Sequence, residues 1–170
     1  MFFIETKRLI IKEFSIDMAY DVHLNSLDVD NRRFVPDEVF ETEEDAKDTI
    51  TFLMGQYDSL DGPFVYPILI KETNENIGYV QIIKLEDNKY ELGYHIAKKY
   101  TGNGYATEAV LAFLPKIALK LGITEVEGIC LKDNLASHHV LDKCGFEKTF
   151  EGLGDYQGEE KEIYKSVWKR

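Results

Sequence analysis

The chain is poor in cysteine, proline, tryptophan and positive charge, and it has no long hydrophobic run. Among 170 residues there are two cysteines, four prolines and one tryptophan. Cys130 and Cys144 show no metal-ligand spacing and have apolar neighbours, so both read as free thiols acting as small hydrophobes. No segment approaches the roughly 18 apolar residues of a bilayer span, so no membrane partner is expected. A charge arrives at Glu5, too early for the apolar part of a secretory signal, and a cytoplasmic location is the expectation. Twenty Lys and Arg face 31 Asp and Glu, a formal net charge of −11. Without a compensating basic stripe this argues against a nucleic-acid partner. The neighbours His138 and His139 point in different directions on a helix, and no metal site is assigned. There is no repeat and no linker rich in Pro, Gly or Ser, so residues 1–170 are expected to form one domain.

What is present is enough to build a core: 44% apolar and 12% aromatic residues. Period-two patterns predict strands at 7–14, 64–71, 77–85, 89–97, 124–132, 146–153 and 160–168. Thr73-Asn74-Glu75-Asn76 is the turn of a hairpin. Helical patterns cover 17–27, 43–57, 104–121 and 135–144, the second capped by Thr42 and the last by Asn134. The helix at 104–121 is apolar on more than one face and should be deeply packed. Seven strands and four helices in this order give an α/β (α+β) fold.

The densest functional signal is Thr101-Gly102-Asn103-Gly104-Tyr105-Ala106-Thr107-Glu108, where two glycines separate a strand from the long helix. Glycine allows a tight turn and close backbone approach, and the first amides of a helix lack internal partners. With the positive end of the helix dipole, those amides suit a phosphate or pyrophosphate. A flexible turn ahead of a helix is the alternative. A full G-x-G-x-x-G would need glycine at Thr107, and alternating βαβ units are missing, which argues against a Rossmann-type site.

Several blocks in fixed order carry a family resemblance. They are Glu5-Thr6-Lys7-Arg8-Leu9, Ile77-Gly78, Leu92-Gly93-Tyr94-His95-Ile96, Gly102 to Ala109, Asn134-Leu135-Ala136-Ser137 and Lys143-Cys144-Gly145-Phe146. The chain resembles the GNAT superfamily of N-acetyltransferases, and within it the ribosomal-protein (Rim-type) branch. The resemblance implies a central mixed, mostly antiparallel twisted sheet of about seven strands flanked by about four helices. That sheet would splay between its fourth and fifth strands, 89–97 and 124–132, to admit acetyl-CoA. By the same resemblance the amides of Gly102, Asn103, Gly104, Tyr105, Ala106 and Thr107 hold the pyrophosphate. The backbone of Tyr94, His95, Ile96 and Ala97 pairs with the pantetheine, Asn134 contacts the cofactor, and Ser137 lies near the sulfur. Family members often begin the loop with Gln or Arg where this chain has Thr101, which offers a hydroxyl instead. Lys98 and Lys99 stand just upstream as sources of positive field.

The implied reaction is direct attack of a neutral amine on the thioester, so a base, an oxyanion donor and a thiol acid are required. Strand alternation puts Glu91, Gly93 and His95 on one face and Tyr90, Leu92, Tyr94 and Ile96 on the other. Glu91 is the chosen base, and Gly93 beside it leaves space for a substrate. A solvated carboxylate is the plain alternative for Glu91, and His95 is a competing base or a hydrogen-bonded structural histidine. Ser137 is the candidate acid, with helix capping as its alternative. Asp37, Glu38, Glu41, Glu43, Glu44, Asp45 and Asp48 form an acidic cluster that either steers a cationic amine or is a solvated helix face. The acceptor is a protein N-terminus, a polyamine, an aminoglycoside or another small amine, with Phe34, Tyr57 and Tyr156 as candidate pocket residues. A homodimer through the closing strands is a further expectation. The competing function is a non-catalytic acyl-CoA sensor or regulatory module.

Overall fold

The computed structural model describes residues 1–170 apart from the side chain of Phe34, so the pocket role expected of Phe34 lies outside the described residues. The chain runs β1 (Phe3–Glu5), β2 (Leu9–Lys12), α1 (Ala19–Ser26), α2 (Val29–Phe34), α3 (Glu43–Met54), β3 (Phe64–Ile70) and β4 (Asn76–Lys84). It continues with β5 (Tyr90–Ile96), α4 (Tyr105–Leu121), β6 (Glu125–Leu131), α5 (Leu135–Lys143), β7 (Glu147–Tyr156) and β8 (Glu159–Lys169), with short 3-10 turns between. All strands join one sheet in the order β1-β2-β3-β4-β5-β6-β8-β7.

The expected α/β architecture is present, with eight strands in place of seven. The run expected at 7–14 begins earlier and is broken: the Thr6 amide donates to the Leu9 carbonyl, and the Thr6 hydroxyl accepts from the Leu9 amide. The result is a small hairpin whose first strand has three residues, too few to show a periodicity. A fifth helix, α2, is started by Asp28, whose carboxylate accepts from the Asn31 amide. Its six residues are likewise too short to display a helical period.

The two faces of the sheet are covered by different helices. On one, α4 buries Val110, Phe113, Leu114 and Ile117 against Leu9, Tyr66, Ile68, Val80 and Leu92, and α5 adds Leu141. Truncating a side chain as enclosed as Phe113 costs about 3–5 kcal/mol. On the other face, α1 and α3 press Ala19, Ala46, Ile50 and Leu53 onto Val65 and Leu69. Among the described residues no helix is long and apolar enough to cross a membrane.

Among the described residues every neighbouring pair of strands but one is joined over several residues, with register shifts at Ile68/Leu69 and Lys148/Phe150. β4 and β5 are in antiparallel register from Gly78↔Ile96 to Lys84↔Tyr90. β5 and β6, which α4 connects and therefore leaves parallel, pair only at Glu91↔Glu127. From there the strands part towards Ile96 and Leu131, while β6 gives its other edge to β8 along Glu125–Leu131. This is the expected splay. Gly78 anchors its near side: a Cβ there would sit 2.0 Å from the His95 carbonyl oxygen, so only glycine lets β4 lie so close to the end of β5.

Candidate active site

The loop into α4 is held from outside. Gly102 and Gly104 take φ of 80° and 76°, the left-handed region, and Gly104 forms the helix N-cap. The first hydrogen bond of the helix runs from the Glu108 amide to the Gly104 carbonyl, at 3.1 Å. Among the described residues none of the six amides from Gly102 to Thr107 has an acceptor. A Cβ at Gly102 would meet nothing within 4 Å, so its glycine is required by conformation and the approach to the amides is open.

Arg8 fixes this loop. Its Nε donates to Glu108 Oε2 at 2.6 Å, its Nη1 to the Asn103 carbonyl at 2.8 Å, and its guanidinium lies 4.5 Å from the Tyr105 ring centre. The Thr6 hydroxyl donates to Glu108 Oε1 at 2.7 Å. Burial opposes ionisation of Glu108, but hydrogen bonds from Thr6 and Arg8 outweigh it and hold the carboxyl below its usual range. The cradle is therefore braced by the Arg8–Glu108 ion pair, and sequence reasoning left Arg8 without a role although it stood in one of the resemblance blocks. The expected sources are otherwise engaged. Lys98 pairs with Asp30 at 3.0 Å, and Lys99 lies over the Tyr100 ring. The Thr101 hydroxyl donates to the Lys98 carbonyl at 2.7 Å, so it stabilises the turn and is not turned to a ligand.

At the splay, the Ala97 amide donates to the Ile77 carbonyl. Strand amides alternate in direction, so those of His95 and Ala97 face β4 while those of Tyr94 and Ile96 face the gap. Of the four residues expected to pair with pantetheine, two thus offer amides to it. The Tyr94 hydroxyl donates to the Ser137 carbonyl at 3.3 Å, tying α5 to this strand. Asn134 caps α5 by accepting from the Ser137 amide at 3.2 Å, and no described hydrogen bond engages the Ser137 hydroxyl.

Glu91 projects from the opposite face of β5 to Tyr94. Burial, then the carboxylate of Glu127, pushes its pKa up to about 7, while Lys165 pulls it down. The plain alternative of a solvated carboxylate does not describe it. Tyr156, at the tip of the β7–β8 hairpin, is half-buried; burial first, then the fields of Glu91 and Cys130, raises its hydroxyl pKa. Gly93 does not leave the free space expected of it: a Cβ there would meet Gln81 Nε2 at 2.5 Å, because that side chain fills the position. Tyr57 is no pocket residue either. Its hydroxyl accepts from the Phe14 amide at 2.9 Å and donates to the Val65 carbonyl at 2.7 Å inside the core.

A cavity of about 250 Å³ lies under α1 and α3, walled by β3, β4 and the end of β5 at His95 and Ala97. Only Asp37 and Glu38 of the acidic cluster line it, and Glu38 accepts a hydrogen bond from the Tyr79 hydroxyl. Glu41 pairs with Arg32, Glu43 and Glu44 with Lys47, and Asp45 completes the capping box of α3.

A family model described as the acetyltransferase (GNAT) domain matches residues 8–147. The chain belongs to the GNAT family. A relative in Bacillus subtilis, the N-acetyltransferase YnaD, is 29% identical over 146 residues, covering 85% of this chain and 82% of YnaD. A GNAT-family acetyltransferase from Bacillus anthracis shares the fold with a TM-score of 0.81 at 25% identity, over 99% of this chain and 98% of that one. RimL, a ribosomal L7/L12 α-N-protein acetyltransferase solved with coenzyme A, matches with a TM-score of 0.81 at 17% identity, over 98% and 97% of the two chains. GNAT acetyltransferases act on amine acceptors.

Proposed function

We propose that residues 1–170 form a single N-acetyltransferase domain, cytoplasmic and of the Rim-type branch, that moves an acetyl group from acetyl-CoA directly to a primary amine. The observation that carries this is the run of six partnerless amides from Gly102 to Thr107, next to the one place where the sheet parts. These amides and the dipole of α4 fit a pyrophosphate, and Arg8 keeps them in place. The gap-facing amides of Tyr94 and Ile96 fit the pantetheine arm or the oxyanion, with the Asn134 side chain at the rim of α5. When bound, acetyl-CoA supplies a thioester carbonyl.

Glu91, which lies outside the lining of the cavity, takes the amine proton through water as the carbon–nitrogen bond forms; a carboxyl with a pKa of about 7 is a stronger base than an ordinary one and still ionised above neutrality. As the carbon–sulfur bond breaks, Ser137 protonates the departing sulfur from the other side of the strand. The acceptor is a protein N-terminus or a small amine, and the open edge of β7 is the surface for a homodimer. Titration calorimetry with CoA and thiol release over a panel of amines test this. CoA binding with amine-dependent release is expected. Binding without release from any amine would replace the enzyme by an acyl-CoA-binding module, and no binding would overturn the cradle.

A further inference from the structure

Among the described residues, three buried side-chain atoms have no hydrogen-bond partner: Asn31 Oδ1, Asn76 Nδ2 and His95 Nε2. All three residues line the single cavity under α1 and α3. An unpaired buried polar atom costs about 1–3 kcal/mol, so three on residues of one chamber call for a partner that the chain's own groups do not supply. Asn31 and Asn76 are each only 4% exposed. The orientation of Asn76 is set, because its Oδ1 accepts from the Gly78 amide at 3.1 Å and leaves Nδ2 as the unpaired donor. Burial lowers the His95 pKa, against the fields of Glu38 and Asp28, and favours the neutral ring.

The remaining wall is mostly apolar, from Phe14, Val22, Phe40, Ile50, Leu53 and Val65. Its charged members are the carboxylates of Asp37 and Glu38, and no described lysine or arginine lines it. A polyamine or aminoglycoside would bring more ammonium groups than there are carboxylates and leave the surplus against hydrocarbon. An α-amino acid would set its own carboxylate against Asp37 and Glu38 with no cation to pair it.

We infer that this cavity is the acceptor site and takes a compact primary amine with an apolar skeleton and one uncharged oxygen, a hydroxyl or an amide carbonyl, near the nitrogen. Asn31 Oδ1 and Glu38 accept from the amine, and Asn76 Nδ2 donates to the oxygen. The inference rests on the acetyl-transfer reading and deepens it by naming the substrate class.

The test uses the full chain and three probes: 2-amino-1-phenylethanol, its deoxy analogue 2-phenylethylamine, and spermidine. Each is followed by acetyl-CoA-dependent thiol release and by calorimetry without CoA. The amino alcohol should exceed the deoxy amine in kcat/KM by about tenfold, the value of one hydrogen bond, and spermidine should be turned over least. Asn76→Asp keeps the acceptor for the Gly78 amide and removes the donor, so it should erase the tenfold preference with CoA affinity unchanged. Asn31→Leu, which leaves Gly78 untouched, should raise KM for both aryl amines. Preferential use of spermidine, a preference unchanged in both variants, or no saturable binding of either aryl amine would overturn the inference while CoA binding leaves acetyl transfer standing. Aryl-amine binding in the expected order without any CoA binding would remove acetyl transfer and uphold the cavity's ligand class.

Discussion

The two sides of β5 solve opposite problems by different means. Towards α4, consecutive backbone amides are held open by left-handed glycines, and Arg8, just ahead of the second strand, braces them. Towards α1 and α3, the chamber is made of side chains from six helices and strands and the turns between them, with carboxylates as its charges and apolar walls. On the proposed reading, a strand lying between an anion cradle and an acidic chamber would separate a diphosphate from an amine and let them meet only where the sheet parts. The contrast teaches that the donor side is a property of local chain geometry, whereas the acceptor side depends on packing.

The strongest way to break this contrast is Gly104→Val. A β-branched residue at φ 76° forces the loop out of its conformation. CoA affinity in calorimetry should fall by more than about 100-fold, since several amides are misaimed together. Aryl-amine binding in the chamber should persist.

Next is Glu91→Gln, which should lower kcat by about 100-fold with CoA affinity retained. The wild-type rate should rise as pH passes about 7, where Glu91 ionises, and the variant should lack that limb. Stability has the opposite sign. A carboxyl whose folded pKa is raised from 4.5 to about 7 favours the folded state while protonated, and that contribution is lost as pH climbs through this window. Thermal melts should therefore show Glu91→Gln gaining on the wild type at pH 8 and not at pH 4.

Arg8→Ala sharpens the donor side. Without its bonds to Glu108 and Asn103 the cradle loosens, and CoA affinity should drop about tenfold. Arg8→Lys should not restore it, because one ammonium does not reproduce the fork over Tyr105. The smallest effect separates structure from chemistry: Tyr57→Phe should cost about 1–2 kcal/mol in denaturant melts, leaving the Phe14 amide unpaired, with kcat unchanged.

Much of the fold and the donor side was legible in the chain. The glycine loop, the capping Asn134 and the face shared by Glu91 and His95 are set by neighbours within a few residues, where period and turn chemistry act directly. What was missed spans long separations. Arg8 meets Glu108 across 100 residues, so no local pattern joins them. Gly93 looked like open space because the strand alone does not reveal that Gln81, its partner on β4, fills it. Tyr57 and Lys98 were misplaced for the same reason: one satisfies a core amide and the other meets an acid on α2.

By itself, then, the amino-acid order determined which amides are left free, because two left-handed glycines followed by a helix leave them so wherever the segment packs. Only the tertiary structure decided what faces those amides and what encloses the chamber. Asn31, Asn76 and His95 come from three elements, and they line one cavity because sheet pairing and helix packing draw those elements together.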